Sequence, residues 1–200
     1  EIWSHQNADL DGLLAILMLI CFGGQKIAEI SKAKLKFWTG NLKMIKNHFM
    51  DSPDTVFIFV DICPNGIRHN PNQGVYVFDH HPHSQHPWMV EDKNKYRHQY
   101  TASAKVAEFL DLDIDDPKIQ QLIAFAYRAD FNINLEPMNL AKIIKEMHVL
   151  YSDEQILNWL KQWFKIWHPS SVLGLYDKDK RVSTLNEIMQ KFGSHFEHNE

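Results

Sequence analysis

The chain has 200 residues, of which 44% are hydrophobic and 23% are charged, and its formal net charge is −4. This globular composition is enough for one sizeable core and a small second lobe. The slightly acidic balance excludes the strong basic field that holds long nucleic acids. Two cysteines without metal-type spacing are typical of a reduced, cytoplasmic protein. The apolar run 13–22 is shorter than the roughly 20 residues that span a bilayer, so we expect no membrane partner.

Short apolar strands alternate with helices along the first two thirds of the chain. We predict strands at 2–4, 35–38, 55–60 and 75–78, and helices at 13–22, 41–50, 102–110 and 117–128. The third strand, 55–60, is apolar on both faces and no hairpin signal separates the strands, which is typical of a buried parallel sheet. The predicted fold is α/β, with a doubly wound, mostly parallel sheet and helices on both faces.

Only helices are predicted after residue 137. One covers 138–150, and the capping box from Ser152 to Gln155 opens the next. We therefore divide the chain into an α/β metal-binding catalytic domain at 1–131 and an all-helical cap or linker region at 138–200. An aromatic stripe in the second part is predicted to be core or interface, and exposed aromatic residues there would permit a homodimer. The stripe contains Trp159, Trp163, Phe164 and Trp167.

Acidic and histidine side chains follow three of the predicted strands and one helix. They are His5, Asp9 and Asp11, then Asp61, then Asp79, His80 and His81, and finally Asp130. Because the carboxyl ends of parallel strands meet at one edge of a sheet, we expect the groups that follow the strands to converge. Carboxylates brought so close repel one another unless cations neutralise them or some are protonated.

The chemistry of these ligands points to transition-type metal ions. Mixed imidazole and carboxylate ligands suit Mn, Zn, Fe or Co better than Ca, and a set of this size favours two ions. Two such ions activate a water and stabilise the charge on a phosphoryl group, so the pattern predicts hydrolysis at phosphorus. A solvated helix-cap loop is the alternative for the first three residues taken alone. For Asp130 the alternative is an ion pair with Arg128, and His83 and His86 are interpreted as loop residues.

The order of these groups resembles the four motifs of the DHH phosphoesterase superfamily over residues 2–130. That superfamily includes RecJ-type exonucleases, nanoRNA and cyclic-dinucleotide phosphodiesterases, and family II pyrophosphatases. The resemblance implies that His81 contacts the scissile phosphate as donor or acid, and that Asp79 orients the histidines. It also implies a set of metal ligands: His5 and Asp9 for one ion, Asp11 and His80 for the other, Asp61 as the bridge, and Asp130 to complete the cluster.

The expected function is hydrolysis of phosphodiester bonds in a short single-stranded oligonucleotide or small nucleotide. The expected cofactors are two divalent ions, Mn²⁺ first, with Mg²⁺ or Co²⁺ as alternatives. Many members carry a glycine-rich, histidine-containing substrate domain that has no counterpart after Asp130, so either the chain is a fragment or its helical part replaces that domain. Pyrophosphatase or polyphosphatase activity would use the same cluster, although few basic residues lie near the motifs. A non-catalytic scaffold in a nucleic-acid assembly is the third hypothesis.

Overall fold

A computed structural model of the chain describes residues 1–38, 42–64, 66–81, 101–113, 115–130 and 140–166, without the side chains of 42, 43 and 166. It contains four parallel strands: β1 (Ile2–His5), β2 (Leu35–Trp38), β3 (Phe57–Val60) and β4 (Val75–Phe78). The helices are α1 (Leu10–Phe22), α2 (Leu42–Met50), α3 (Ala102–Phe109), α4 (Pro117–Asp130), α5 (Leu140–Met147) and α6 (Asp153–Ile166). The predicted α/β class and parallel sheet are confirmed.

The order of the strands reverses at one place in the sheet, between β1 and β3. The order is β2-β1-β3-β4, so the chain moves outward from β1 to β2 and then returns to place β3 on the other side of β1. Where strand order reverses in this way, the loops after the two neighbouring strands diverge and leave a crevice at the carboxyl ends. His5 ends β1 and Asp61 follows β3, so both lie at this crevice.

Helix α1 begins three residues earlier than the sequence predicts. Its first residue is Leu10, because Asp9 caps the helix by accepting a hydrogen bond from the Gly12 N–H at 3.1 Å. Asp11 therefore lies in the first helical turn instead of a loop. As predicted, the helix is buried over most of its circumference, with Leu10 to Leu19 all excluded from solvent.

The sheet separates two hydrophobic clusters. Ile58 and Val60 pack with α1 and the later helices, whereas Phe57 and Phe59 point the opposite way and pack with Ile45 of α2. This alternation follows from the period of two along a strand. The structure also corrects three bounds: β3 starts at Phe57 instead of residue 55, α4 continues to 130 instead of 128, and α5 ends at 147 instead of 150.

Helices α5 and α6 share the hydrophobic core of α1. Ile144, Leu157 and Leu160 are buried in that cluster, and so are Trp159 and Trp163. The aromatic stripe is thus core, as far as the structure describes it; Trp167 lies outside the described residues. These side chains are consequently unavailable as an exposed aromatic surface for a homodimer. The division of the chain between 131 and 138 stays a prediction. Residue 41, where the second predicted helix starts, the loop histidines 83 and 86, and residues 167–200 of the predicted helical part lie outside the described ranges.

Within those ranges, no helix has both the length and the apolar character needed to cross a bilayer.

Candidate metal centre

Four separate segments of the chain bring acidic and histidine side chains together at the crevice. Two sets of three have ligand atoms that all lie within 4.8 Å of one another. We call the first set the outer group and the second the inner group. The outer group contains His5, Asp9 and Asp61, and the inner group contains Asp11, His80 and Asp130. A third set overlaps both and contains Asp61, His80 and His81. All six predicted metal ligands are therefore brought together.

The outer group spans the crevice between β1 and β3. His5 donates through Nε2 to Asp61 Oδ2 at 3.1 Å, and its Nδ1 lies 3.1 Å from the Gln6 carbonyl oxygen. A ring held at Nδ1 by a backbone carbonyl presents Nε2 as its ligand atom, which is the usual support for a metal-binding histidine. Asp9 is exposed, and its Oδ1 accepts the capping hydrogen bond of α1. Carboxylates at helix starts retain lone pairs for a metal ion.

The inner group is arranged around one imidazole. His80 Nε2 lies 3.3 Å from Asp61 Oδ1, 3.4 Å from Asp130 Oδ2 and 3.9 Å from Asp11 Oδ2. Asp130 is the last residue of α4, and its side chain extends from the end of that helix to His80. The alternative ion pair of Asp130 with Arg128 does not form in the part of the chain that the structure describes, where the ion-pair contact of Asp130 is with His80.

Asp11 also makes hydrogen bonds to the start of α3 that the sequence did not indicate. Its fully buried carboxylate accepts hydrogen bonds from the N–H groups of Ala102 and Ser103 at 2.5 and 2.8 Å, and from the Ser103 hydroxyl at 2.5 Å. These donors lie at the start of α3, where backbone N–H groups have no partner inside the helix. Asp11 therefore ties α1 to α3 and is fixed in position, while its Oδ2, which accepts only one of the three hydrogen bonds, keeps a further lone pair for a metal ion.

The electrostatics of the cluster show a concentration of negative charge. Burial and the charge of Asp61 raise the pKa of Asp11 to about 7. Burial, followed by the charges of Asp11, Asp9 and Asp61, raises the pKa of Asp130 to about 9. Burial acts to lower the pKa of His5, but its hydrogen bond to Asp61 and the charges of Asp61 and Asp9 together outweigh this effect and raise the pKa to about 9. Protons thus neutralise part of this negative charge, and metal ions can take their place.

Two buried carboxylate oxygens give an independent test of whether metal ions fit. Among the described residues, Asp61 Oδ1 and Asp130 Oδ2 are buried and accept no hydrogen bond. Buried polar atoms normally have partners, because an unsatisfied one loses its hydration without compensation. Both oxygens lie within 3.4 Å of His80 Nε2. Orphaned carboxylate oxygens beside imidazole nitrogens fit an ion of the Mn²⁺ type.

Asp79 and His81 stand at the edge of the cluster. Asp79 is buried, and its Oδ1 accepts hydrogen bonds from His81 Nδ1 at 2.7 Å and from the His81 backbone N–H at 3.3 Å. This contact orients the His81 ring, whose side chain is 52% exposed. The structure shows such a contact for His81, whereas His80 is placed by Asp61 and Asp130 instead. His81 thus faces both the cluster and solvent.

Three further features near the cluster were missed by sequence reasoning. Lys105 of α3 lies within electrostatic range of Asp79 and Asp11, and burial lowers its pKa. Gly12 lies so close to the sheet that a Cβ atom there would stand 3.2 Å from Ser4 Oγ and 3.5 Å from Asp61 Oδ2. The third feature is a set of contacts from the α5–α6 junction to the loop after His5. Only the HxxxDxDG spacing hinted at the glycine; the other contacts leave no sequence pattern.

Comparison of the chain with family models, curated proteins and solved structures gives no match.

Proposed function

We propose that the chain is a metal-dependent phosphoesterase of the DHH type. Its reaction is hydrolysis of phosphodiester bonds in short single-stranded oligonucleotides or small nucleotides, with two divalent ions, preferably Mn²⁺, as cofactors. We also propose that the complete fold is doubly wound with an all-helical C-terminal part, and that the protein works in the cytoplasm with its two cysteines reduced.

The observation that carries this proposal is the shared position of Asp61 between two ligand groups. Its Oδ2 is 3.1 Å from His5 in the outer group, and its Oδ1 is 3.3 Å from His80 in the inner group. One carboxylate between two sets of ligands is the arrangement that two neighbouring ions require, and such ions lie roughly 3.5–4 Å apart. The four segments also follow the order of the superfamily motifs along the chain, which supports the choice of phosphoryl chemistry.

The residues of this chain divide the work between binding and proton transfer. Bound divalent ions supply an activated water and offset the charge that develops on the phosphoryl oxygens. The outer and inner groups hold and separate the ions. His81 is placed to donate a hydrogen bond to the substrate phosphate, because Asp79 holds its Nδ1 and so directs the other ring nitrogen away. The raised pKa of His81, due chiefly to the hydrogen bond that its ring donates to Asp79, favours the donor form.

Hydrolysis of a 5′-labelled oligoribonucleotide of about five nucleotides tests the proposal. The assay is run with Mn²⁺, with Mg²⁺, with chelator, and in parallel with inorganic pyrophosphate. We expect manganese-dependent release of mononucleotides and no reaction after chelation. A His81→Gln variant keeps the ligand groups intact, so it should bind metal normally and turn over more slowly.

The same assay separates the alternatives. Cleavage of pyrophosphate without cleavage of the oligonucleotide would replace the proposal by a pyrophosphatase. Lys105, whose charge interacts with those of Asp79 and Asp11, would then be a candidate to hold the leaving group. Metal binding without turnover of either substrate would favour a non-catalytic scaffold. Absence of metal binding to the folded chain would overturn the proposal.

A further inference from the structure

The loop between His5 and Asp9 is held by residues from the far end of the described chain. Asp153 is 6% exposed, and its two oxygens accept hydrogen bonds from the backbone N–H groups of Asn7 at 3.1 Å and Ala8 at 2.7 Å. His148, directly after α5, donates through Nε2 to the Ala8 carbonyl oxygen at 2.9 Å. The held segment therefore lies between two ligands of the outer group.

The loop needs such support because of its backbone conformation. Asn7 has a φ of 53°, in the left-handed region that few residues other than glycine and asparagine enter readily. Its N–H and that of Ala8 point to Asp153, outside any helix or sheet ladder. Buried N–H groups need acceptors, so the carboxylate fixes a turn that the chain would not otherwise favour. The direction in which His5 and Asp9 leave the turn depends on that conformation.

Capping of its own helix does not account for the burial of Asp153. The start of α6 is already capped by a reciprocal pair: Ser152 Oγ accepts from the Gln155 N–H at 3.4 Å, and Gln155 Oε1 accepts from the Ser152 N–H at 2.9 Å. Glu154, the next acidic residue of the same turn, is exposed. Asp153 alone turns inward to the loop. Each oxygen of Asp153 accepts from a different N–H group, and in a side-chain amide one of these oxygens would be replaced by an NH₂ donor.

We propose that Asp153, assisted by His148, is a positioning residue for the outer metal ion. By fixing the turn at Asn7 and Ala8, it holds His5 and Asp9 at the distances that the ion requires. The proposal rests on the two-metal function proposed above. It assigns to the helical C-terminal part a direct share in building the metal centre, beyond its share in the hydrophobic core.

The test compares Asp153→Asn with Glu154→Gln, which removes the same charge from the same helical turn. Three quantities are measured on the full chain: Mn²⁺ affinity and stoichiometry by isothermal titration, the spin coupling of bound Mn²⁺ by electron paramagnetic resonance, and amide hydrogen exchange at Asn7 and Ala8. For Asp153→Asn we expect faster exchange at these amides, an outer-ion affinity lower by about 10- to 100-fold, and an uncoupled single-ion spectrum. Glu154→Gln should behave as the unmodified chain.

The outcomes separate the two proposals. If the unmodified chain binds no Mn²⁺, the proposed function fails. If it binds two ions and Asp153→Asn binds both with unchanged affinity and spectrum, the positioning role is wrong and the function stands. If Asp153→Asn unfolds without metal, His148→Ala decides, because it removes a single hydrogen bond from the same loop. The role then requires that His148→Ala weaken the outer ion selectively, and equal weakening of both ions would contradict it.

Discussion

The outer and inner ligand groups differ in how the fold holds them. Asp11 of the inner group is fully buried and bound to α3 by three hydrogen bonds, and the side chain of Asp130 is only 7% exposed. In the outer group His5 is 29% exposed, Asp9 is exposed, and the loop between them is held from α5 and α6. The inner group is therefore part of the packed core, whereas the outer group depends on a surface loop with distant support.

The largest effect is expected where the two groups meet. Asp61→Ala removes the one carboxylate within 3.3 Å of a histidine in each group, so both ions should be lost or strongly weakened. Because metal ions supply several kcal/mol of charge stabilisation, turnover should fall about a thousandfold. Metal analysis and the oligonucleotide assay measure the two effects, with the exposed Asp54→Ala as the matched control. Normal turnover by Asp61→Ala would mean that the ligand assignment is wrong.

Two single variants, each without the histidine of one group, test the two groups separately. His80→Ala should leave an ion in the outer group, and His5→Ala should leave one in the inner group. We expect a loss of activity of about 100- to 1,000-fold for His80→Ala and roughly ten times less for His5→Ala, since the inner ion is the more enclosed. Titration with Mn²⁺ gives the stoichiometry and affinity of the remaining ion. Tighter residual binding by His80→Ala than by His5→Ala would reverse the proposed ranking of the groups.

The pH should affect the stability of the metal-free chain and that of the Mn²⁺-loaded chain differently. The pKa values of Asp11 and Asp130 are raised above the ordinary aspartate value to about 7 and about 9, mainly by burial. In the metal-free chain these groups therefore hold protons that the unfolded chain has already released. The stability this gives is present at low pH and is lost as pH rises through the raised pKa values.

We accordingly expect the melting temperature of the metal-free chain to fall between pH 5 and pH 8.5, roughly 2–4 °C for each kcal/mol lost. The Mn²⁺-loaded chain should change much less, because the ions take the place of the protons. Differential scanning calorimetry across this range measures both curves. Asp130→Asn should flatten the metal-free curve, and parallel curves with and without Mn²⁺ would contradict the competition.

The smallest effect concerns the approach of α1 to the sheet. Gly12→Ala places a Cβ atom 3.2 Å from Ser4 Oγ, which must shift by a few tenths of an ångström, and in van der Waals contact with Asp61 Oδ2 at 3.5 Å, where it limits how far Asp61 can move to meet an ion. We expect Mn²⁺ affinity to fall by about threefold to tenfold while the melting temperature changes little, since alanine also favours the helix by about 1 kcal/mol. Gly24→Ala is the control, because nothing lies within 4 Å of its Cβ position.

A double variant tests whether the contact with Ser4 causes this loss of Mn²⁺ affinity. The Ser4 hydroxyl is buried and has no hydrogen-bond partner among the described residues, so Ser4→Ala alone should be neutral or stabilising. Combined with Gly12→Ala it removes the closest contact and should restore most of the Mn²⁺ affinity. Failure of the double variant to recover would show that the glycine is needed for another reason.

Sequence reasoning found the elements and ligands that follow local rules. The runs at 35–38 and 75–78 are strands as predicted, because short runs rich in β-branched, aromatic and other apolar residues next to turn residues favour strands. The convergence of His5, Asp61 and His80 follows from the parallel sheet alone. The capping box of α6 also forms as predicted.

The rest depended on contacts between distant residues. The tie of Asp11 to Ser103 and the hydrogen bonds of Asp153 to the loop join residues 92 and more than 140 positions apart. A side chain that accepts from remote backbone groups leaves no periodic trace in the sequence. The start of α1 differs from the predicted residue 13 because the side chain of Asp9 caps the helix and allows it to begin at Leu10.

The distance along the chain between the outer loop and its support also sets an order of assembly. The loop after His5 is synthesised well before Asp153, which follows Asn7 by 146 residues. Contacts of such separation form late in folding, because the intervening chain must first be ordered. A ribosome-bound chain would thus display the outer ligands without their final geometry. The centre is expected to capture its full complement of manganese only after α6 has left the ribosome and packed against α1.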